Sequence, residues 1–385
     1  MLAAATAFYG VFAAADSVFA QTWTQTSASN GNWGCIASSA DGSKLVAIAT
    51  GSGGAWTSAD SGNTWVSNSI PIANWVGVAS SADGNRLVAA MGYPSSGPIY
   101  TSTNSGTTWT SNNLVASWAS VASSADGQKL LGVAGGDVWT STNAGFSWIS
   151  NDIPYSPPTF VRAYLSAASS ADGTRLVVGS YGSLIYNSTN SGLTWRTNNV
   201  PFATWQTVAC SADGTKLIAA INLGRIYTST NSGTSWMTNN VPNDPWESVA
   251  SSADGTKLVA VGFHIYTSTN SGTSWASNNV PGAWRYSVAS SADGEKMASV
   301  NSLGGGIYTS HSTPMPRLNL TTASGNLALS WLVPSTNFVL QQNLNLSAAN
   351  WVMLTNTPVL NLTNLHNEIV LSPANNNGFF RLISQ

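Results

Sequence analysis

Charge is the scarcest property of this chain. Asp, Glu, Lys and Arg supply 7% of its 385 residues, where roughly a quarter is usual. The formal net charge is −2 and no basic run occurs, which excludes the electrostatic footprint of a nucleic-acid binder. Cysteine is nearly missing as well. Cys35 and Cys210 alone exclude a disulfide framework and any zinc-ligand spacing. Both are expected to fill small buried positions rather than pair. No phosphate-cradling glycine loop, calcium loop or Ser-His-Asp signature is present. His264, His311 and His366 are scattered, so no metal or cofactor is expected. Glu and Lys, which favour helices, are few. Ser, Thr, Asn and Gly fill the polar positions, and Val, Ile, Thr, Tyr and Trp are plentiful, a mix that favours strands.

What the chain does have is a period. Ala-Asp-Gly recurs with its Asp at 41, 83, 126, 172, 213, 254 and 293. About 17 residues after each of the first six comes a second turn, from Ser58 to Trp65 in the first copy and from Ser268 to Trp275 in the sixth. A fixed period near 40 residues marks a repeat architecture. In the second repeat, Trp75 to Ser80, Arg86 to Ala90, Ile99 to Ser102 and Trp109 to Ser111 read as four strands separated by Gly, Asp and Asn turns. One such meander cannot bury both faces, but a closed ring of them can. The expected fold is all-β: a seven-bladed propeller of four-stranded antiparallel blades. The seventh repeat stops after Ile307-Tyr308-Thr309-Ser310 and lacks a fourth strand. Gln21 to Thr26 resembles that strand, so the N-terminal segment is expected to close the last blade, with Trp23 standing where Trp109 stands in its own repeat. This removes an open sheet edge.

The eight-residue turn closely resembles the Asp-box, or BNR repeat, of sialidase-like propellers. Asp60 alone keeps the Asp, and Asn104, Asn143, Asn190, Asn231 and Asn270 replace it elsewhere. The resemblance covers residues 21 to 313. It implies a folding element between the third and fourth strands of each blade, away from the binding face. The physics agrees: the Asn or Asp caps backbone N–H groups, Gly takes positive φ, and Trp packs into the sheet interface. Each repeated Asp is followed by a basic residue, namely Lys44, Arg86, Lys129, Arg175, Lys216, Lys257 and Lys296. A pairing across the turn is expected, worth roughly 0–1 kcal/mol if exposed.

Subtracting the repeat leaves Asp137, Asp152, Arg162, Arg196, Arg225, Asp244, Glu247, Arg285 and His264 as charged or titratable residues without an architectural role. Arg196 follows a box Trp and should point outward. The others fall in or beside the connections between strands two and three or between blades. Turns of a meander alternate between its ends, so both repeated turns share one face of the disc and both variable connections share the other. Aromatic residues gather in the same connections: Tyr93, Tyr155, Phe160, Tyr181, Phe202, Trp246 and Trp284. Trp33, Trp75, Trp118, Trp205 and Trp246 share one repeat position, with Tyr164 in the fourth, which argues for blade packing. The candidate ligand-binding set is therefore Tyr93, Asp137, Tyr155, Arg162, Tyr181, Phe202, Arg225, Asp244, Glu247, His264 and Arg285. No residue is assigned a catalytic role.

Aromatic faces beside amides and hydroxyls suit sugar rings. The reading is a non-catalytic binding module for glycan on the variable face. Two alternatives stand beside it. A sialidase-like enzyme needs three arginines, a Tyr–Glu pair, an Asp and an Arg-Ile-Pro element, and the last is missing here. Xyloglucan-cleaving Asp-box propellers use two aspartates, and an acid/base pair must lie roughly 5–9.5 Å apart; Asp137, Asp152, Asp244 and Glu247 are the stock for that. The photosystem II assembly factors also resemble this propeller and imply an extracellular protein partner instead. The remaining segments are a secretory signal, 1–20, and a tail, 314–385. Leu2 to Ala15 is mostly apolar and Val18-Phe19-Ala20 suits cleavage after Ala20, although no Lys or Arg precedes the run. Past it no apolar run approaches the roughly 20 residues that span a bilayer. A secreted or bacterial cell-surface monomer, without membrane insertion after cleavage, is expected. The tail's alternating runs, such as Leu327 to Trp331 and Phe338 to Gln342, read as a small β-sandwich. They resemble a C-terminal module of large secreted bacterial proteins.

Overall fold

Each Ser-Ala-Asp-Gly turn folds alike in the computed structural model of the protein, which describes residues 22–51, 54–92, 94–153, 164–278, 280, 284–302, 304–311, 318–323, 326–332, 338–343, 350–371 and 379–384. In the first copy the Ser39 hydroxyl and the Ser43 N–H both donate to Asp41 Oδ1, and the Lys44 N–H donates to Ser39 Oγ. Gly42 takes a φ of 65°, which glycine adopts without steric cost. The Ala between Ser and Asp carries the architecture. Ala40 N–H donates to Ala82 O, Ala82 to Ala125, Ala125 to Ala171, Ala171 to Ala212, Ala212 to Ala253, Ala253 to Ala292, and Ala292 back to Ala40. Seven backbone hydrogen bonds thus close a ring around the axis, one per repeat.

Seven antiparallel sheets radiate from that ring. The second is built from Trp75–Ser80, Leu87–Met91, Gly97–Ser102 and Thr110–Ala116. The fifth gains an extra strand, Asp244–Pro245, paired with Leu217–Gly224. Among the described residues no helix occurs. The seventh contains Arg285–Ser290, Lys296–Asn301 and Ile307–His311, and Trp23–Gln25 completes it with Trp23 opposite Ser310. Trp23 is buried among Val259, Val261 and Ile265 of the sixth blade and Val288, Met297 and Tyr308 of the seventh.

Neighbouring blades are joined by repeated polar contacts. In five of the seven blades a hydroxyl on the innermost strand accepts a backbone N–H of the next blade: Ser120 from Ala167, Ser166 from Val208, Thr207 from Val249, Ser248 from Val288, and Ser287 from Ile36 across the closure. Cys35 and Gly77 occupy this position in the first two blades. The repeated cations depart from expectation. They reach the turn of the following blade rather than crossing their own: Lys129 Nζ donates to Asp172 O, Lys257 to Asp293 O, and Lys296 to Asp41 O. Their aliphatic stems lie on the neighbour's turn glycine, so a Cβ at Gly84 would meet Lys44 Cδ at 2.7 Å. The box turns also refine the reading. The residue before each box Gly (Ser61, Ser105, Ala144, Ser191, Ser232, Ser271) is left-handed too.

Both cysteines are unpaired. Cys210 stands among the serines that line the axial channel, with Ser38, Ser80, Ser123, Ser169, Ser251 and Ser290 at the same repeat position. Burial pushes both thiols up to about 12, and Asp213 adds to the rise at Cys210. The C-terminal segment forms two sheets, one containing Asn319–Ala323, Asn326–Leu332, His366–Leu371 and Val359–Asn361, the other Val352–Met353, Phe338–Asn343 and Phe379–Ser384. They pack around Leu329, Trp331, Leu340 and Ile369 as a small sandwich. Leu332 and Leu365 of this sandwich pack on the alanine collar, so it sits over the channel mouth on the face of the repeated turns.

Candidate functional site

In the first six blades the two repeated turns touch one another. Ser61 N–H donates to Ser43 O in the first blade, and Ser105 to Asn85, Ala144 to Gln128, Ser191 to Thr174, Ser232 to Thr215 and Ser271 to Thr256 follow in order. They therefore share one face. The connections between strands two and three, and between blades, lie on the other.

That face is uneven because of one position in the repeat. In six blades the innermost strand begins with the recurring aromatic or its substitute and the next residue bulges out of the ladder, as between Trp205 and Thr207; in the sixth the equivalent residue, Glu247, directly precedes the strand Ser248–Ser251. A bulge re-aims the residue it contains. The residue there is Gly34, Val76, Ala119 and Leu165 in the first four blades, then Gln206, Glu247 and Tyr286. At this position polar side chains occur in the fifth to seventh blades. Gln206 Nε2 donates to Glu247 Oε2 at 3.2 Å, and Trp284 Nε1 donates to Glu247 Oε1 at 3.1 Å. Burial pushes the Glu247 carboxyl up, and these two hydrogen bonds only partly oppose it.

A second pair adjoins it. Asp244 is buried at 5% exposure, and its Oδ2 lies 2.8 Å from His264 Nδ1. Its Oδ1 accepts the Phe263 N–H at 3.0 Å. The loop from Gly262 to His264 is drawn close to Asp244–Pro245, and a Cβ at Gly262 would meet Pro245 O at 2.6 Å and Asp244 Oδ1 at 2.7 Å. Only glycine permits this approach. The loop is also tied to the next blade, because Arg285 N–H donates to Gly262 O. It presents Phe263, 51% exposed, edge-on to Trp284 with ring centroids 4.7 Å apart. A carboxylate–imidazole pair, a second carboxylate and an aromatic wall therefore converge. The arrangement can accept and donate hydrogen bonds while covering an apolar ring face.

The other candidates are dispersed. Tyr181 is exposed between Ser180 and Ile185 of the fourth blade, and Phe202 is exposed ahead of the fifth. Asp137 is exposed at the start of the third strand of its blade, opposite Ala134. Arg225 is exposed beside Gly224, whose backbone pairs with Asp244. Arg196 lies on an exposed fourth strand. Tyr93, Tyr155 and Arg162 fall outside the described residues. Arg285 requires a correction. It is 1% exposed and occupies the recurring Trp position of the seventh blade. Its guanidinium lies 4.7 Å from the Tyr308 ring centroid and donates to Asn301 Oδ1, where Trp75–Tyr100, Trp205–Tyr227 and Trp246–Tyr266 pair edge to face. Burial lowers its pKa to about 10. A residue so placed packs the blade and does not meet a ligand at the surface. Phe263, Trp284 and Gln206 were missing from the candidate set. The signal for Gln206 was its repeat position, one residue after the recurring Trp.

No family model matches the chain, and no curated protein does. Solved structures do. YCF48 from Cyanidioschyzon merolae is similar at 14% identity and a TM-score of 0.59, over 75% of this chain and 98% of that one. A structure of YCF48 bound to D1 peptide is similar at 14% identity and 0.56, over 80% and 100%. The GH74 xyloglucanase from Xanthomonas campestris is similar at 15% identity and 0.60, over 81% of this chain and 59% of the enzyme. These likenesses establish the β-propeller fold, and at such identities they establish the fold alone.

Proposed function

We propose that this protein is a non-catalytic binding module that takes a glycan on the variable face, over the fifth to seventh blades. One observation carries the reading: exposed Phe263, braced edge-on by Trp284, stands beside Glu247 and the Asp244–His264 pair. A sugar ring offers C–H surface for the aromatic faces and hydroxyls for the polar groups. Phe202 and Tyr181, exposed on the same face, extend the surface toward the fourth blade. In this reading residues 1–20 export the chain, 21–313 are the propeller, and 314–385 cap its opposite face. A second reading is a peptide partner, supported by the YCF48 neighbour bound to D1 peptide. The test is a glycan array probed with residues 22–385, run beside hydrolysis assays on polysaccharides and sialosides. Binding without cleavage is expected. Cleavage, or no glycan binding at all, refutes the glycan-binder reading.

A further inference from the structure

We propose that Asp244 locks His264 in its Nδ1–H tautomer, so that the exposed Nε2 is a standing acceptor for a hydroxyl group of the ligand. This rests on the glycan reading of the same site. Asp244 is buried, and an ionised carboxylate offers only acceptors. Oδ1 is taken by the Phe263 N–H, and Oδ2 faces Nδ1 at 2.8 Å. The proton between them therefore belongs to Nδ1. A neutral imidazole protonated there carries its lone pair on Nε2. The His264 side chain is 62% exposed, one residue from exposed Phe263. Its ring is turned edge-on to Tyr266 at 6.2 Å, which fixes the direction of approach. A ligand with a hydroxyl donor beside a flat C–H face, such as a neutral oligosaccharide, matches this pair. Asp244 is a positioning residue, and His264 makes the contact.

The same geometry specifies an inversion. In Asp244→Asn the Phe263 N–H still needs an acceptor and keeps Oδ1. The amide nitrogen then turns toward His264 and donates to Nδ1. The ring proton moves to Nε2, and the surface acceptor becomes a donor.

The experiment is nitrogen NMR of histidine-labelled full-length mature chain, recorded at about pH 8, where an ordinary imidazole is neutral. Binding of cellohexaose, xylohexaose and mannohexaose is measured alongside by calorimetry. His264 should show Nδ1–H in the wild type and Nε2–H in Asp244→Asn. At least one hexaose should bind. His264→Ala should weaken that binding about tenfold, the value of one hydrogen bond to a positioned acceptor. His264→Gln, which restores an acceptor, should recover most of the loss, and Asp244→Asn, whose Nε2–H a rotated ligand hydroxyl can still accept, should weaken binding less than His264→Ala. An Nε2–H tautomer in the wild type overturns the inference whatever binds. A correct tautomer with no hexaose bound overturns the ligand assignment and with it the glycan reading. Unchanged affinity in His264→Ala removes the contact while leaving the glycan reading standing. The wild-type spectrum and the two His264 variants do not depend on Asp244→Asn folding.

Discussion

Trp23→Ala perturbs the closure of the ring directly. Trp23 is 6% exposed and packs on side chains of both the sixth and seventh blades. Its strand lies at the far end of the propeller sequence from its partner, since it pairs Trp23 with Ser310 and Gln25 with Tyr308. Truncating a buried Trp costs about 3–5 kcal/mol through lost transfer energy and the cavity left behind. In a chain of this size that corresponds to a fall in Tm of roughly 4–8 °C. The substitution should also loosen the edge of Ile307–His311, and an unpaired edge invites association with other chains. Thermal unfolding followed by circular dichroism reads the first effect, and size-exclusion chromatography reads the second. Val66→Ala is the control: it lies on an equivalent outer strand of the first blade but is 63% exposed, so it should stay within about 0.5 kcal/mol of wild type. If Trp23→Ala unfolds at the same temperature as Val66→Ala, the ring is not held by the N-terminal strand.

Three further outcomes follow from the structure. Leu365→Asp should unseat the sandwich from the alanine collar, because an unpaired carboxylate is costly against Ala125, Ala171 and Ala212; Cys210, which lines the channel beneath, should then react faster with a thiol reagent while buried Cys35 does not, and equal Cys210 rates would contradict the cap. Acid should unfold the propeller through its turns: burial raises the carboxyls of Asp41, Asp83, Asp172, Asp213 and Asp254, but their hydrogen bonds and the preceding blade's cation outweigh it and leave them lowered. A carboxyl lowered in the folded state stabilises above its unfolded pKa, about 3.9, and that stability is lost as pH falls through the folded values, so Tm should drop below about pH 4 and Asp83→Asn should flatten the drop. Glu247 has the opposite sign, being raised by burial: its contribution is present when protonated and lost as pH rises through the raised value, so Glu247→Gln should raise Tm at neutral pH, with the gain vanishing in acid.

The sequence made the fold legible because seven copies speak for one another. A single Ala-Asp-Gly is a turn, whereas seven at a steady spacing require a shared structure, and the missing fourth strand of the last repeat pointed to Trp23. Inter-blade relations were harder to read. The destination of Lys129 or Lys296 depends on the rotation between blades, which no spacing within a repeat encodes, so these cations were expected to cross their own turns. Arg285 was misplaced for a related reason. An arginine in a position otherwise held by an aromatic ring looks like a departure for function, and the Tyr308 ring and Asn301 show it as a packing substitute. The site itself was half visible. Asp244, Glu247 and His264 stood out as charge left over after subtraction, but their meeting is made by a connection between blades and a loop within one. Phe263 and Trp284 lie apart in sequence and meet only because Arg285 ties the loop to the next blade.

The most direct test of the central claim compares two faces of one molecule. The best glycan from an array probed with residues 22–385 should be titrated against wild type, Phe263→Ser on the variable face and Phe146→Ser on the face of the repeated turns. Phe146 is 90% exposed in a box turn, so its loss costs the fold little. The account predicts that Phe263→Ser abolishes binding and Phe146→Ser leaves it unchanged. Binding that survives Phe263→Ser and fails in Phe146→Ser would place the ligand on the opposite face and contradict the account.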